Sequence, residues 1–295
     1  MNYRVTHTTT YHYEDVVSVC HNELRLTPRS GRSQTARRTQ LLVDPAPAVL
    51  ASHLDVFGNV VSFVAVQEPH RKLVVTAKSD VEVTARPPLD PDDAPPWEQV
   101  RDRIRTDRTA EGLSAYQFVF PSPQVTWGEE LVDWARVSFR AGRSLLDATL
   151  DLVHRVHADF AYDPHATTVS TPVAEVFAAR RGVCQDFAHL AIACVRAMGL
   201  PARYVSGYIL TTPPEGQERL VGADASHAWL GVYIPGGGWI DVDPTNDCIA
   251  GEQHVTLAWG RDYGDVAPLR GVVLGGGAHT MQVSVDVVPA PERAA

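Results

Sequence analysis

The chain has 295 residues, enough for one large core or two modest ones, and its 44% hydrophobic and 21% charged residues are ordinary globular composition. A formal net charge of -9 argues against nucleic acid as the main partner, because phosphate binding needs a concentrated basic surface. No apolar run approaches the ~18 residues of a membrane span, Met1-Asn2-Tyr3-Arg4-Val5 lacks the apolar stretch of a signal peptide, and the four cysteines (Cys20, Cys184, Cys194, Cys248) form no CxxC pair. A reduced cytoplasmic protein without membrane contact, disulfide framework or zinc ribbon is expected.

Residues 1–86 read as a β domain. Tyr3, Val5, His7, Thr9 and Tyr11 alternate with polar residues, and Val60 to Val66 and Leu73 to Thr84 are rich in Val, Thr and Phe. Phe57-Gly58-Asn59 reads as a hairpin turn. The arginines Arg25, Arg29, Arg32, Arg37 and Arg38 read as a solvated loop. Residues 87–149 are read as a linker and helical segment. The stretch from Arg86 to Pro96 holds five prolines and three aspartates, so neither a helix nor a central strand runs through it. Its acids lack the spacing of an EF-hand.

Beyond the linker the period becomes helical, over Trp97 to Asp107, Gly128 to Arg140 and Ser144 to Phe160. In the last of these Leu145, Leu146, Thr149, Leu152, Val153 and Val156 share one face, and Ser144 is placed to cap it. Thr171 to Met198 predicts two helices broken at Gly182. The first is capped by Thr171 with Pro172 at its first position, and the second starts near Cys184. Strands are expected over Ala202 to Leu210, Ala225 to Ile234 and Trp239 to Val242. A closing strand is expected near 279–288, and Gly275-Gly276-Gly277 reads as a turn. The stretch 150–250 is read as the core and 251–295 as an extension carrying that strand.

Two places carry chemistry. A cysteine in the first turn of a helix, as at Cys184, sits at the positive end of the macrodipole, which favours the thiolate; the free amides there suit an oxyanion. Cys194, inside an apolar helix, reads as a small buried hydrophobe. Downstream, His227, Trp229, Gly231 and Tyr233 share one strand face, with Trp229 and Tyr233 as candidates to line a cleft. A turn centred on Pro235 would put His227 opposite Asp243, Trp229 opposite Asp241 and Gly231 opposite Trp239. A register two residues along brings Asp241 or Thr245 nearer instead. A carboxylate beside His227 is what a general base needs, because it fixes the tautomer and steadies the imidazolium.

The motifs Gly182-Val183-Cys184-Gln185-Asp186-Phe187-Ala188-His189, Ser226-His227-Ala228-Trp229 and Trp239-Ile240-Asp241-Val242-Asp243-Pro244-Thr245-Asn246 resemble those of the bacterial transglutaminase-like superfamily, relatives of papain-like cysteine peptidases. Phe160-Ala161-Tyr162-Asp163-Pro164 and Gly260-Arg261-Asp262-Tyr263-Gly264 add to the resemblance, which also takes in residues 1–86 as the family's preceding β domain. It implies an α+β fold with a nucleophile helix packed on an antiparallel sheet. It implies Cys184 as nucleophile, His227 as base and Asp243 as orienting acid, with Asp241 only a neighbour. It also implies acyl transfer on peptide or protein amides through a thioester, with hydrolysis ahead of amine transfer, and no cofactor. The calcium loops of animal transglutaminases are absent from the sequence, so calcium dependence does not carry over. Two other readings compete. One is a non-catalytic peptide-binding module on the same fold. The other is a metal hydrolase built on pairs such as His154 and His157, which otherwise read as partly exposed flanks of their helix; no HExxH motif accompanies them.

Overall fold

The computed structural model describes residues 1–85, 94–211 and 226–290. Five antiparallel strands come first: β1 (Asn2–Leu24), β2 (Gln34–Asp44), β3 (Val49–Leu54), β4 (Val60–Val66) and β5 (His70–Val83). β1 is a spine in two halves. Its first half pairs with β5 and its second with β4, and the register shifts between His12 and Val17. The alternation read from the sequence is the burial pattern, with Tyr3, Val5, His7 and Thr9 inside. The hairpin joining β3 and β4 turns where expected. The Asp55 carboxylate accepts the amide protons of Phe57 and Asn59, each at 2.9 Å, and Gly58 takes φ +74°.

Of the arginine cluster, Arg32, Arg37 and Arg38 are exposed as expected, the last two on β2, whereas Arg25 and Arg29 depart from the solvated loop. Arg29 is half-buried and lies 3.5 Å from the ring centroid of Trp259, and Arg25 is an ion-pair partner of Asp55 at 3.7 Å. Of the linker, residues 86–93 lie outside the described residues.

Four helices follow: α1 (Trp97–Thr106), α2 (Ala110–Tyr116), α3 (Glu129–Arg136) and α4 (Leu145–Asp159). The apolar stripe of α4 is buried as its spacing requires, and Ser144 Oγ accepts the Asp147 amide at 3.1 Å. α2 had no strong periodic signal; its seven residues are started by Thr109, whose hydroxyl accepts the Gly112 amide. Then come β6 (Ala161–Tyr162), α5 (Val173–Ala179), β7 (Arg181–Gly182) and α6 (Cys184–Ala197). Pro172, rather than Thr171, is the residue preceding α5.

α6 is buried all round from Asp186 to Arg196, so it is the central helix of the core. Its one buried cation, Arg196, bonds to the carbonyls of Ala202, Phe120 and Arg261, which satisfies a charge that burial would otherwise penalise. β8 (Ala202–Ile209), β9 (Ser226–Ile234), β10 (Gly238–Asp243), β11 (Cys248–Ile249) and β12 (His254–Gly260) form an antiparallel sheet in the order β11-β10-β9-β8-β12. Its Ala228, Leu230, Val232 and Val242 pack in the same core cluster as α6.

After α7 (Tyr263–Val266), the chain returns to the first sheet. β13 (Leu269–Gly275) and β14 (His279–Pro289) both pair with β1, with a turn containing Gly276 and Gly277 at positive φ between them. The architecture is α+β: a β-rich sheet built from both ends of the described chain, and a helix-on-sheet core between them.

Candidate active site

The nucleophile turn is built by a glycine and a carboxylate. Gly182 pairs with Tyr162 in the short parallel β6–β7 ladder, and the extended Val183 then starts α6. Asp186, one turn into the helix, reaches back to accept the Val183 amide at 2.8 Å and the Thr167 hydroxyl at 2.6 Å. A Cβ on Gly182 would lie 2.7 Å from that carboxylate oxygen, so only glycine fits. Burial pushes the Asp186 carboxyl up, and these two donors pull against it. The outcome is a partly exposed Cys184 at the helix start, where first-turn amides have no intrahelical acceptor.

Cys184 neighbours His227, a buried ring on β9, closely enough to favour its charged form. The other side of that ring faces Asp243, with Nε2 2.7 Å from Oδ2. With the Nε2 proton donated to the carboxylate, Nδ1 is the nitrogen left for the sulfur. Asp243 is fully buried, and every donor around it favours its charged form. Asn246 Nδ2 donates at 2.6 Å and His254 Nε2 at 3.2 Å to Oδ2, and the amides of Thr245 and Asn246 donate to Oδ1. Burial would raise this carboxyl, but the bonds from His227 and His254, the His227 charge and the Asn246 bond hold it far below the usual carboxylate range. For His227, burial opposes the charged ring. The bond to Asp243, the neighbouring Cys184 and the charges of both outweigh it and hold the imidazole well above its ordinary value.

The three residues singled out in the sequence are thus neighbours, although the β9–β10 register differs from the one centred on Pro235. Asp241 lies opposite Gly231 and Trp239 opposite Tyr233, two residues along. The longer turn through Gly236 and Gly238, both at positive φ, accounts for the slip. Asp241 does not approach His227; it pairs with Arg203 at 3.4 Å. Trp229 is wholly buried, and Tyr233 packs against Ile104 and Ala115, so neither is an open cleft wall. Cys194 is fully buried and its thiol is pushed up by burial.

His254 and Asn246 were missed. Asn246 stands only at the end of a motif, and His254 lies on β12, a strand not expected from the sequence. His154 and His157 also do more than flank an apolar stripe. His154 Nδ1 is 2.8 Å from Asp247, and His157 Nδ1 donates to the Thr245 carbonyl at 2.9 Å, which ties α4 to the loop following Asp243.

Among the described residues His227, Asp243 and His254 are close enough to hold a metal, their ligand atoms lying within 4.8 Å of one another. The donor chemistry does not fit. His254 Nδ1 accepts the Gly251 amide proton at 3.2 Å, so Nε2 carries the ring proton and is a donor to Asp243. A metal-bound histidine has the opposite arrangement, with its second nitrogen donating.

Residues 134–244 match the model of the transglutaminase-like superfamily, and residues 3–82 match that of the bacterial transglutaminase-like N-terminal region. The chain belongs to the transglutaminase-like superfamily. An uncharacterized protein of Mycobacterium tuberculosis is 42% identical over 97% of this chain and 92% of its own length. A protein-glutamine gamma-glutamyltransferase of Pseudomonas aeruginosa is 35% identical over 118 residues, which is 39% of this chain and 17% of that protein. The transglutaminase-like fold is also that of a crystal structure of a proposed cysteine protease from Cytophaga hutchinsonii. The TM-score is 0.77 at 22% identity, over 99% of this chain and 92% of that one. Among the described residues of this superfamily member, no helix is long and apolar enough to cross a membrane.

Proposed function

We propose that the protein is a cysteine-dependent acyl-transfer enzyme acting on peptide or side-chain amides, with Cys184 as nucleophile, His227 as general base and acid, and Asp243 as the orienting carboxylate. The observation that carries this reading is the buried His227, bonded to Asp243 at 2.7 Å on one side and with the Cys184 thiol as a neighbour that favours its charged form. In the first half-reaction His227 takes the thiol proton and the sulfur attacks the amide carbonyl. The oxyanion forms beside the first-turn amides of α6. His227 then returns the proton to the leaving nitrogen, the C–N bond breaks, and a thioester remains on Cys184. In the second half-reaction His227 takes a proton from water, the resulting hydroxide attacks the thioester, and the acid leaves as the thiol is reprotonated. Partial exposure of Cys184 supports water as the acceptor.

A second reading keeps the first half-reaction and replaces water with a primary amine. The similarity to a relative named protein-glutamine gamma-glutamyltransferase favours it. Mass spectrometry of the products formed from glutamine peptides with and without an added amine separates the two.

The reading itself is tested by iodoacetamide alkylation of the native protein between pH 5 and 9, with peptide mapping. Cys184 is expected to react far faster than Cys20, Cys194 and Cys248, and still near pH 6. Burial pushes the thiols of all three others up. A Cys184 no faster than a free thiol would sink the enzyme reading and leave a peptide-binding module.

A further inference from the structure

The triad acid is held from a side that the proposed chemistry does not use. Three donors converge on Asp243 Oδ2: His227, Asn246 and His254. His254 is buried, comes from β12 and touches no other member of the proposed triad by hydrogen bond. Its ring has one workable orientation. Nδ1 receives the Gly251 amide, Nε2 points its proton at Asp243, and the indole of Trp229 meets it edge-on at 5.1 Å between centroids. A flipped or rotated ring would put a nitrogen lone pair against the carboxylate and a proton against Gly251 N–H.

β12 is the outer strand of its sheet, and its far edge is covered by the N-terminal sheet. Two buried amide side chains act there as rungs of a ladder. Gln34 donates to the Thr256 carbonyl at 2.7 Å and accepts the Thr256 amide at 2.8 Å. Asn59 donates to the Trp259 carbonyl at 2.9 Å and accepts the Trp259 amide at 3.0 Å. Each carboxamide is anchored on its own side, Gln34 by donating to the Arg29 carbonyl and Asn59 by Asp55. Groups that pair this fully hold a strand in one register, since a slip leaves several buried donors and acceptors unsatisfied.

We infer that His254 is a positioning residue that keeps the Asp243 carboxylate aimed at His227, and that the N-terminal β domain sets the position of His254 by clamping β12 through Gln34 and Asn59. The inference rests on the reading of Cys184, His227 and Asp243 as a triad. It assigns the N-terminal domain a share in catalysis exerted through one strand. A carboxylate with a third fixed donor has one low-energy orientation, so it holds His227 in the tautomer that leaves Nδ1 for the sulfur.

The test is the pH profile of Cys184 alkylation by iodoacetamide in the full chain, compared among wild type, His254→Phe, His254→Gln, Gln34→Ala and the Gln34→Ala/His254→Phe double variant. Phe keeps the ring packing on Trp229 and loses the donor; Gln restores a donor at similar reach. His254→Phe is expected to lose about ten- to a hundredfold in rate at pH 6, the effect of one hydrogen bond to a charged group, and His254→Gln to recover most of it. Gln34→Ala is expected to move the profile in the same direction, and the double variant to be no slower than His254→Phe alone. With a substrate in hand, kcat should fall while KM holds, since His254 faces Asp243 and not the thiol. A folded His254→Phe with the wild-type profile overturns the role of His254, and additive losses in the double variant overturn the role of the N-terminal clamp. If His254→Phe fails to fold, His254→Asn, whose amide stops short of Asp243, decides on the same criteria. An unreactive Cys184 in the wild type would instead strike at the triad reading itself.

Discussion

Asp243 meets His227 from a diagonal position. In the β9–β10 ladder Val242 lies opposite Leu230, which puts the carboxylate nearest Trp229, two residues from the imidazole it contacts at 2.7 Å. The diagonal neighbour across a sheet is within reach of a long or ring side chain. Asp243→Asn keeps the shape but loses the charge and turns one of two acceptor oxygens, both of which receive donors, into an NH2 group, so kcat is expected to fall by about 10³- to 10⁴-fold with unchanged circular dichroism. Steady-state kinetics checks it, and a loss below tenfold would remove Asp243 from the chemistry.

Asp241, two residues away, should behave in the opposite way. It pairs with Arg203, whose guanidinium lies 4.4 Å from the ring centroid of Trp239 and 3.7 Å from that of Trp259. Both partners of this pair are buried. Asp241→Ala leaves a buried cation short of its carboxylate and is expected to cost about 3 kcal/mol, measured by urea unfolding. The folded fraction should keep kcat within about threefold, a change under 1 kcal/mol.

Two buried histidines set a limit at acid pH. His7, between Tyr208 and Thr9, and His189, which accepts the Tyr263 amide, are each lowered by burial to about 4. Between that value and the ordinary imidazole pKa, near 6.5, the unfolded chain binds protons that the folded one excludes. The contribution of these two rings is therefore complete above pH 6.5 and declines as the pH falls toward 4, by at most roughly 3 kcal/mol per histidine. Denaturant midpoints at pH 7, 6 and 5 measure it, and His189→Phe, if folded, should flatten the slope. A midpoint constant over that range would contradict the burial of both rings.

Gly207 on β8 has no room for a side chain. An added Cβ would stand 2.2 Å from the Val255 carbonyl oxygen and 2.4 Å from the indole of Trp229. Because Trp229 also packs against His254, Gly207→Ala is expected to destabilise by at least about 3 kcal/mol and to shift the triad at the same time. Thermal melts and Cys184 alkylation would register both effects.

Local rules made much of this legible in the sequence. The α4 stripe and its Ser144 cap, the break at Gly182 and the alternation of β1 each depend on neighbours close in the chain. Cys184 was conspicuous because its chemistry is tied to a helix start. The register of β9 on β10 was not legible, since a turn of three glycines accepts several lengths and periodicity is blind to a slip of two. His254 was hidden for another reason. Its contact with Asp243 depends on which strand lies behind which, and its tautomer on a backbone amide three residues earlier. Arg29 looked solvated because nothing local foretold Trp259 arriving from the far end of the chain.

β14 lies along the first half of β1 on the side opposite β5. A ribosome therefore finishes every helix and the whole second sheet before it supplies the strand that closes β1. At roughly 5–20 residues per second, the wait between β5 and β14 lasts about 10–40 s. For that time β1 presents an open row of amides and carbonyls able to recruit any stray strand. The nascent chain thus passes through a window in which shielding by a chaperone, or a low local concentration of its own kind, decides how much of it reaches the finished sheet.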